Sequence, residues 1–152
     1  MSNLLIGSEL ETENLAQLLA PLLQGGISIG LIGDLGAGKT TLVRYLVGAL
    51  GGSAKEVASP TYTLQYDYPT DSGVLIEHWD LYRLESLPHE LFERPDPKIV
   101  RIIEWPDRCP EILRDLELLI RIELLGGEQR SVELSGPLAE PLVLALKGGR
   151  GA

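Results

Sequence analysis

The chain has a single cysteine, Cys109, so no internal disulfide can form. No apolar run approaches the ~20 residues that a membrane-spanning helix needs, so no membrane association is expected. The opening "MSNLLIGSELETEN" lacks a basic stretch leading into an apolar one, so no secretory signal is expected and a cytoplasmic protein is the default. Positive charge is scarce: 13 Lys and Arg against 22 Asp and Glu leave a net charge of -9. Affinity for RNA or DNA rests on Lys and Arg neutralising phosphates, so this chain is a poor candidate to hold either alone. Internal repeats and low-complexity tracts are absent too. What is present is 152 residues with a hydrophobic fraction of 44%, enough for one domain with one core and too regular in composition for wholesale disorder.

Periodicity organises that length. "SELETENLAQLLAPLLQGG" (8–26) reads as a helix: Ser8 and Glu11 fit a capping box, Leu15, Leu18, Leu19, Leu22 and Leu23 keep the helical period, and Pro21 and Gly25-Gly26 end it. "ISIGLIG" (27–33) is a short, continuous apolar run, as expected of a strand covered on both faces. A second helix is expected from Lys39 to Leu50. "YTLQYDYP" (62–69) and "GVLIEHWDLY" (73–82) read as two strands of a hairpin. "LESLPHELFERPDP" (84–97) mixes weak helix with proline punctuation. "KIVRIIEW" (98–105), "LELLIRIEL" (116–124) and "RSVELSG" (130–136) read as strands, and "PLVLALKG" (141–148) as a last strand or short helix. Residues 146–152 are expected to be a flexible tail. The later strands follow one another too closely for helical crossovers throughout, so the fold class is α/β with a mixed parallel and antiparallel central sheet flanked by helices.

The strongest local signal is "GDLGAGKTT". Gly33, Asp34, Leu35, Gly36, Ala37, Gly38, Lys39, Thr40 and Thr41 make a complete phosphate-binding loop of the Walker A pattern, lying between an expected buried strand and an expected helix. The glycines let the backbone curl so that several N–H groups face one anion. Lys39 can reach the outer phosphates of a nucleoside triphosphate, the Thr40 hydroxyl can ligate magnesium, and the following helix presents its positive end to the same charge. A nucleoside triphosphate with Mg2+ is therefore the expected ligand of a single P-loop NTPase domain spanning 1–152.

Phosphoryl chemistry also needs a carboxylate for the metal and a residue that positions the nucleophile. Asp80 closes the apolar run "VLIEHWD", with His78 two residues earlier on the same strand face, and Glu104 closes "IVRIIE". Ligands of open α/β sheets lie beyond the carboxyl ends of the strands, where both acids should be. Spacing alone does not choose which of them contacts magnesium directly. Each could also simply mark where its strand meets water. "SPTYTL" (59–64) offers Thr61 as a hydroxyl that could sense the terminal phosphate, or equally a plain Ser-Pro turn. His78 and His89 lack clustered partner ligands and read as structural, not as a zinc site. Trp105 directly follows Glu104, which favours it over Trp79 and Tyr82 as a functional aromatic.

Taken together, "GDLGAGKTTLVR", "SPTYTL", "HWDLYRL" and "IEWPDR" resemble the TsaE family, in matching order and spacing over residues 8–108. That family is the ATPase component of bacterial tRNA threonylcarbamoyladenosine biosynthesis. The resemblance implies a mixed-sheet P-loop ATPase that acts with a TsaB–TsaD pair, which modifies adenosine 37 of tRNA, so that tRNA is met only through the partners. It gives Lys39 and Thr40 the phosphate and magnesium roles, Thr61 a switch-like loop, Asp80 metal binding and hydrolysis, and Glu104 and Trp105 a place near magnesium and nucleotide. It extends loosely to Thr12, as a threonine near the base, and to Arg130, as a late nucleotide contact. The 84–97 segment departs from the family pattern, with extra prolines and no glycine.

The leading expectation is an ATPase of weak basal activity that partners stimulate. A nucleotide-dependent binding module with negligible turnover is the neighbouring alternative, since a P-loop domain without a supplied arginine finger hydrolyses slowly. Arg44 and Arg83 are the candidates for such a finger in cis. A small-molecule kinase is the third class, and the scattered arginines supply no lid segment for one.

Overall fold

A computed structural model describes residues 2–34, 36–58 and 64–150. Seven strands form one sheet: β1 (Ser2–Ile6), β2 (Ile27–Ile32), β3 (Gln65–Pro69), β4 (Leu75–Asp80), β5 (Ile99–Glu104), β6 (Leu118–Gly126) and β7 (Gln129–Ser135). Their order is β1-β7-β6-β2-β5-β4-β3. The four inner strands β6, β2, β5 and β4 are parallel neighbours, while β7 and β1 on one side and β3 on the other are added antiparallel. Mixed pairing follows from loop length, because β3–β4 and β6–β7 are joined by turns too short for a crossover.

Helices α1 (Glu9–Leu19), α2 (Lys39–Ala49) and α4 (Ala139–Arg150) cover one face of the sheet. Leu15, Leu19, Leu42, Leu46 and Leu142 from these helices pack on Ile29, Leu31, Val100, Ile102, Leu118, Ile120 and Leu134 from the strands. The other face carries a smaller cluster, Trp79, Leu81, Leu91, Ile103, Ile112 and Leu116, under the short helix α3 (Pro110–Arg114). Strand β2 has apolar side chains on both faces because both faces are covered. Gly30 is the exception that proves the packing tight: a Cβ there would lie 2.6 Å from a Leu116 methyl and 2.7 Å from the Pro106 ring.

Helix α1 starts as expected, with the Ser8 hydroxyl accepting from the Glu11 N–H at 3.4 Å and the Glu11 carboxylate reaching back to the Gly7 N–H at 3.1 Å. Pro21 does shorten it, into a single 3-10 turn over Ala20–Leu22. The hairpin of β3 and β4 is present. Three features differ from the expectations. Strand β1 was not anticipated, because five residues with two exposed positions carry too little pattern to register. The segment 141–148, left between strand and helix, is part of α4, and that helix continues through residues expected as tail as far as Arg150. The 84–97 segment holds only a 3-10 turn at His89–Phe92, since Pro88, Pro95 and Pro97 leave no room for a longer helix.

Candidate functional site

The phosphate loop leaves the carboxyl end of β2 and runs straight into α2, whose first residue is Lys39. Gly36 and Gly38 have φ of +83° and +113°, conformations that only glycine takes without strain. Gly33 is needed for another reason: a Cβ there would sit 2.8 Å from the Ile122 carbonyl. The Ala37 N–H donates to the Asp34 carbonyl at 2.9 Å, which closes the turn before the helix begins.

The two acids lie where the strand pattern places them. Asp80 ends β4, Glu104 ends β5, and they are partners in the parallel register, with Leu31 of β2 on Glu104's other side. Both carboxylates are buried. Asp80 Oδ1 accepts from the Tyr82 N–H at 2.8 Å, turning the chain out of the strand. Glu104 Oε1 is 3.4 Å from Lys39 Nζ, and its Oε2 is 2.7 Å from His78 Nε2. Burial alone pushes the Glu104 carboxyl up. The hydrogen bond and charge of His78, followed by those of Lys39, outweigh it and hold the group below its ordinary range.

Trp105 follows in a left-handed conformation, φ 60° and ψ 48°, rare for an aromatic residue. Its N–H donates to the Leu31 carbonyl at 3.0 Å, and Pro106 then opens a 3-10 turn to Arg108. The turn swings the indole back over the site, where Lys39 Nζ lies 4.3 Å from the ring centroid and the Tyr82 ring packs on it at 5.4 Å. Trp105-Pro106 thus makes a sharp reversal that directs Glu104 inward and brings the Trp105 ring under the lysine.

These groups line one cleft of about 480 Å³ at the carboxyl edge of the sheet. Asp34, Gly36, Gly38, Lys39, Thr40, Thr41, Asp80, Glu104, Trp105 and Arg130 face it, with Tyr82 and Arg83 at its wall. Thr12 does not line it. Thr12 sits in an adjoining cavity of about 200 Å³ with Glu9, Ala37, Gly38, Thr41 and Arg130, on the outer side of the loop. Arg130 joins the two cavities: its Nε donates to the Ala37 carbonyl at 2.9 Å and one terminal nitrogen to the Gly127 carbonyl at 3.0 Å. Gly33 and Ala37, within the loop itself, are buried. Leu35 and Thr61 lie outside the described residues. Of the two arginines considered as fingers, Arg83 lines the cleft and Arg44 does not.

Two residues here were not anticipated. His78, read as structural, is fully buried and bonded to Glu104, and the Tyr68 hydroxyl lies 3.2 Å from its Nδ1. Their only sequence signal was the alternation that puts His78 on the same strand face as Asp80.

The donors present are a threonine hydroxyl and two carboxylates, hard oxygen ligands that suit magnesium better than zinc. Among the described residues no three His, Cys, Asp or Glu side chains converge on a point that could hold a metal ion. A cation here would therefore draw part of its shell from a bound phosphate or water, the usual habit of magnesium.

The chain matches the family described as "Threonylcarbamoyl adenosine biosynthesis protein TsaE" over residues 6–132. It is 36% identical to the tRNA threonylcarbamoyladenosine biosynthesis protein TsaE of Aquifex aeolicus over 135 residues, 88% of this chain and 96% of that one. The protein of the same name from Rickettsia felis is 35% identical over 131 residues, 84% of this chain and 75% of that one. The fold is similar to the crystal structure of Bacillus subtilus YdiB, with a TM-score of 0.68, 25% identity, and coverage of 98% of this chain and 95% of the other. The phosphate loop, the strand-end acids and these likenesses agree: the chain belongs to the TsaE family.

Proposed function

We propose that this protein is an ATPase that binds Mg-ATP in the cleft over α2 and drives or resets a TsaB–TsaD complex forming threonylcarbamoyladenosine on tRNA. The observation that carries this reading is the convergence of Lys39, Asp80 and Glu104, from one helix and two strands, around a glycine-rich loop at the carboxyl edge of the sheet. The N–H groups of Gly36–Thr41 and the positive end of α2 receive the phosphates. Lys39 adds its charge to the outer ones. Thr40, Asp80 and Glu104 would hold magnesium, which neutralises charge on the phosphate oxygens. The adjoining cavity at Thr12, Thr41 and Arg130 would then take the nucleoside.

Hydrolysis replaces the bond from the γ-phosphorus to the bridging oxygen with one to a water oxygen, giving ADP, phosphate and a proton. Glu104, held ionised, and Asp80 are the acids placed to orient that water. The indole and Tyr82 wall the cleft against bulk solvent. Of the cleft arginines among the described residues, Arg130 is held by the Ala37 and Gly127 carbonyls and Arg83 lies at the wall; with the finger left to the partners, basal turnover is slow and they raise it. The net charge of -9 fits contact with tRNA through partners. No described helix is long and apolar enough to cross a membrane, which fits work in the cytoplasm beside tRNA.

The test is ATP hydrolysis by the purified chain, alone and with TsaB, TsaD and tRNA. Slow turnover that rises with partners supports the proposal. Tight Mg-ATP binding with no hydrolysis under any condition would favour a nucleotide-dependent binding module, and phosphate transfer to a small molecule a kinase.

A further inference from the structure

A buried polar chain runs from the site into the sheet. Glu104 Oε2 meets His78 Nε2 at 2.7 Å, and His78 Nδ1 meets the Tyr68 hydroxyl at 3.2 Å. That hydroxyl donates to the Ala58 carbonyl at 3.0 Å and accepts from the Ala58 N–H at 3.3 Å. The three side chains come from adjacent strands, β5, β4 and β3, and none is more than 3% exposed. His78 is fully buried and is not among the described residues that line the phosphate cleft. It reaches the site only through Glu104, and the imidazole has a partner on each nitrogen, so its ring plane is determined by the sheet.

We propose that His78 is a positioning residue for Glu104, oriented in turn by Tyr68, and that this chain aims the carboxylate for turnover without contributing to nucleotide affinity. The physical reason is that a carboxylate at a strand end has several rotamers, and Lys39, the other partner, is itself needed by the phosphates. A rigid anchor that stays in place when Lys39 turns to a ligand keeps Glu104 aimed. The proposal rests on the nucleotide-site reading above.

The experiment compares His78→Gln, His78→Asn and Tyr68→Phe with the wild type, measuring kcat and KM for Mg-ATP, Kd from tryptophan fluorescence, and thermal melting. A glutamine amide reaches the place of Nε2 and keeps the bond to Glu104. An asparagine amide occupies the place of Nδ1 and loses it. The expected result is a kcat lowered roughly 10- to 100-fold in His78→Asn, with KM and Kd near wild type and most of the loss recovered in His78→Gln. Tyr68→Phe falls between.

Equal kcat in the two histidine variants, or losses that follow the melting temperature instead of the retained bond, would overturn the proposal and leave a structural histidine. Should His78→Asn not fold, an unchanged kcat in Tyr68→Phe overturns it equally. Wild-type binding of Mg-ATP without turnover removes the positioning role but leaves the nucleotide site standing. Absence of wild-type binding sinks both readings.

Discussion

Lys39 Nζ and Glu104 Oε1 lie 3.4 Å apart, a buried ion pair that joins the first residue of α2 to the last residue of β5 across the phosphate cleft. A second contact on each partner fixes the pair: the Trp105 ring under the lysine and His78 on the acid. Without phosphate, each charge therefore has its counterpart within the protein. A bound triphosphate would compete with Glu104 for the lysine.

Lys39→Ala should abolish measurable Mg-ATP binding and turnover, because the loop loses the only lysine that faces its cleft among the described residues. Calorimetric titration with Mg-ATP checks this. Retained affinity and turnover would move the nucleotide elsewhere.

Glu104→Gln keeps the side-chain volume but removes the charge. It should lower magnesium-dependent hydrolysis by roughly 10- to 100-fold while the fold persists. Glu104→Ala adds a stability cost of about 3–5 kcal/mol, since a buried lysine and histidine lose their shared partner. Normal hydrolysis with normal metal dependence in the glutamine variant would reduce Glu104 to a strand-end residue.

The acid limb of stability should carry a Glu104 signature. Its folded-state pKa is lowered, by His78 and Lys39 against the opposing effect of burial, below the unfolded value of about 4.3. The unfolded chain then binds the proton first. The contribution is fully present above the unfolded pKa and is lost as pH falls through the lower folded one. Urea unfolding of wild type and Glu104→Gln from about pH 6 to about pH 3 should show a constant difference that shrinks only at the acid end. A difference that already shrinks near neutrality contradicts this.

Trp105 should reveal the strain of its backbone. Trp105→Ala and Trp105→Gly both lose the ring contacts with Lys39 and Tyr82, so their difference isolates the left-handed conformation. Relief of strain, less the greater entropy of an unfolded glycine, leaves the glycine variant more stable by about 0.5–1 kcal/mol. Equal melting temperatures would mean the turn relaxes in both.

On the opposite face of the sheet, Arg101 Nε donates to Glu77 Oε1 at 2.7 Å, the Trp79 indole donates to the same oxygen at 2.6 Å, and Arg101 also holds the Glu90 and Glu93 carbonyls. Arg101→Ala leaves Glu77 buried without its cation and should cost about 3–5 kcal/mol. Mg-ATP affinity of the folded protein should be unchanged, because none of these groups reaches the cleft. A matching loss of affinity would show the two faces to be coupled.

Residue spacing alone was enough for the strand–loop–helix from Ile27 to Ala49, because a phosphate cradle is a local object: its glycines, lysine and threonine act within nine residues. It also determined that Asp80 and Glu104 stand at strand ends, since each closes an apolar run. The four motifs together were enough to point to the family. It took the folded chain to show that the two acids are register partners, that Glu104 is shared between Lys39 and His78, and that Thr12 lines the adjoining cavity while Arg130 lines both. Those facts depend on strand order and register, which bring residues 26 and 65 positions apart within contact distance of Glu104. Side-chain alternation along one strand says which face a residue takes, but the neighbour on that face belongs to another strand, and pairing between distant strands leaves no local trace in the chain.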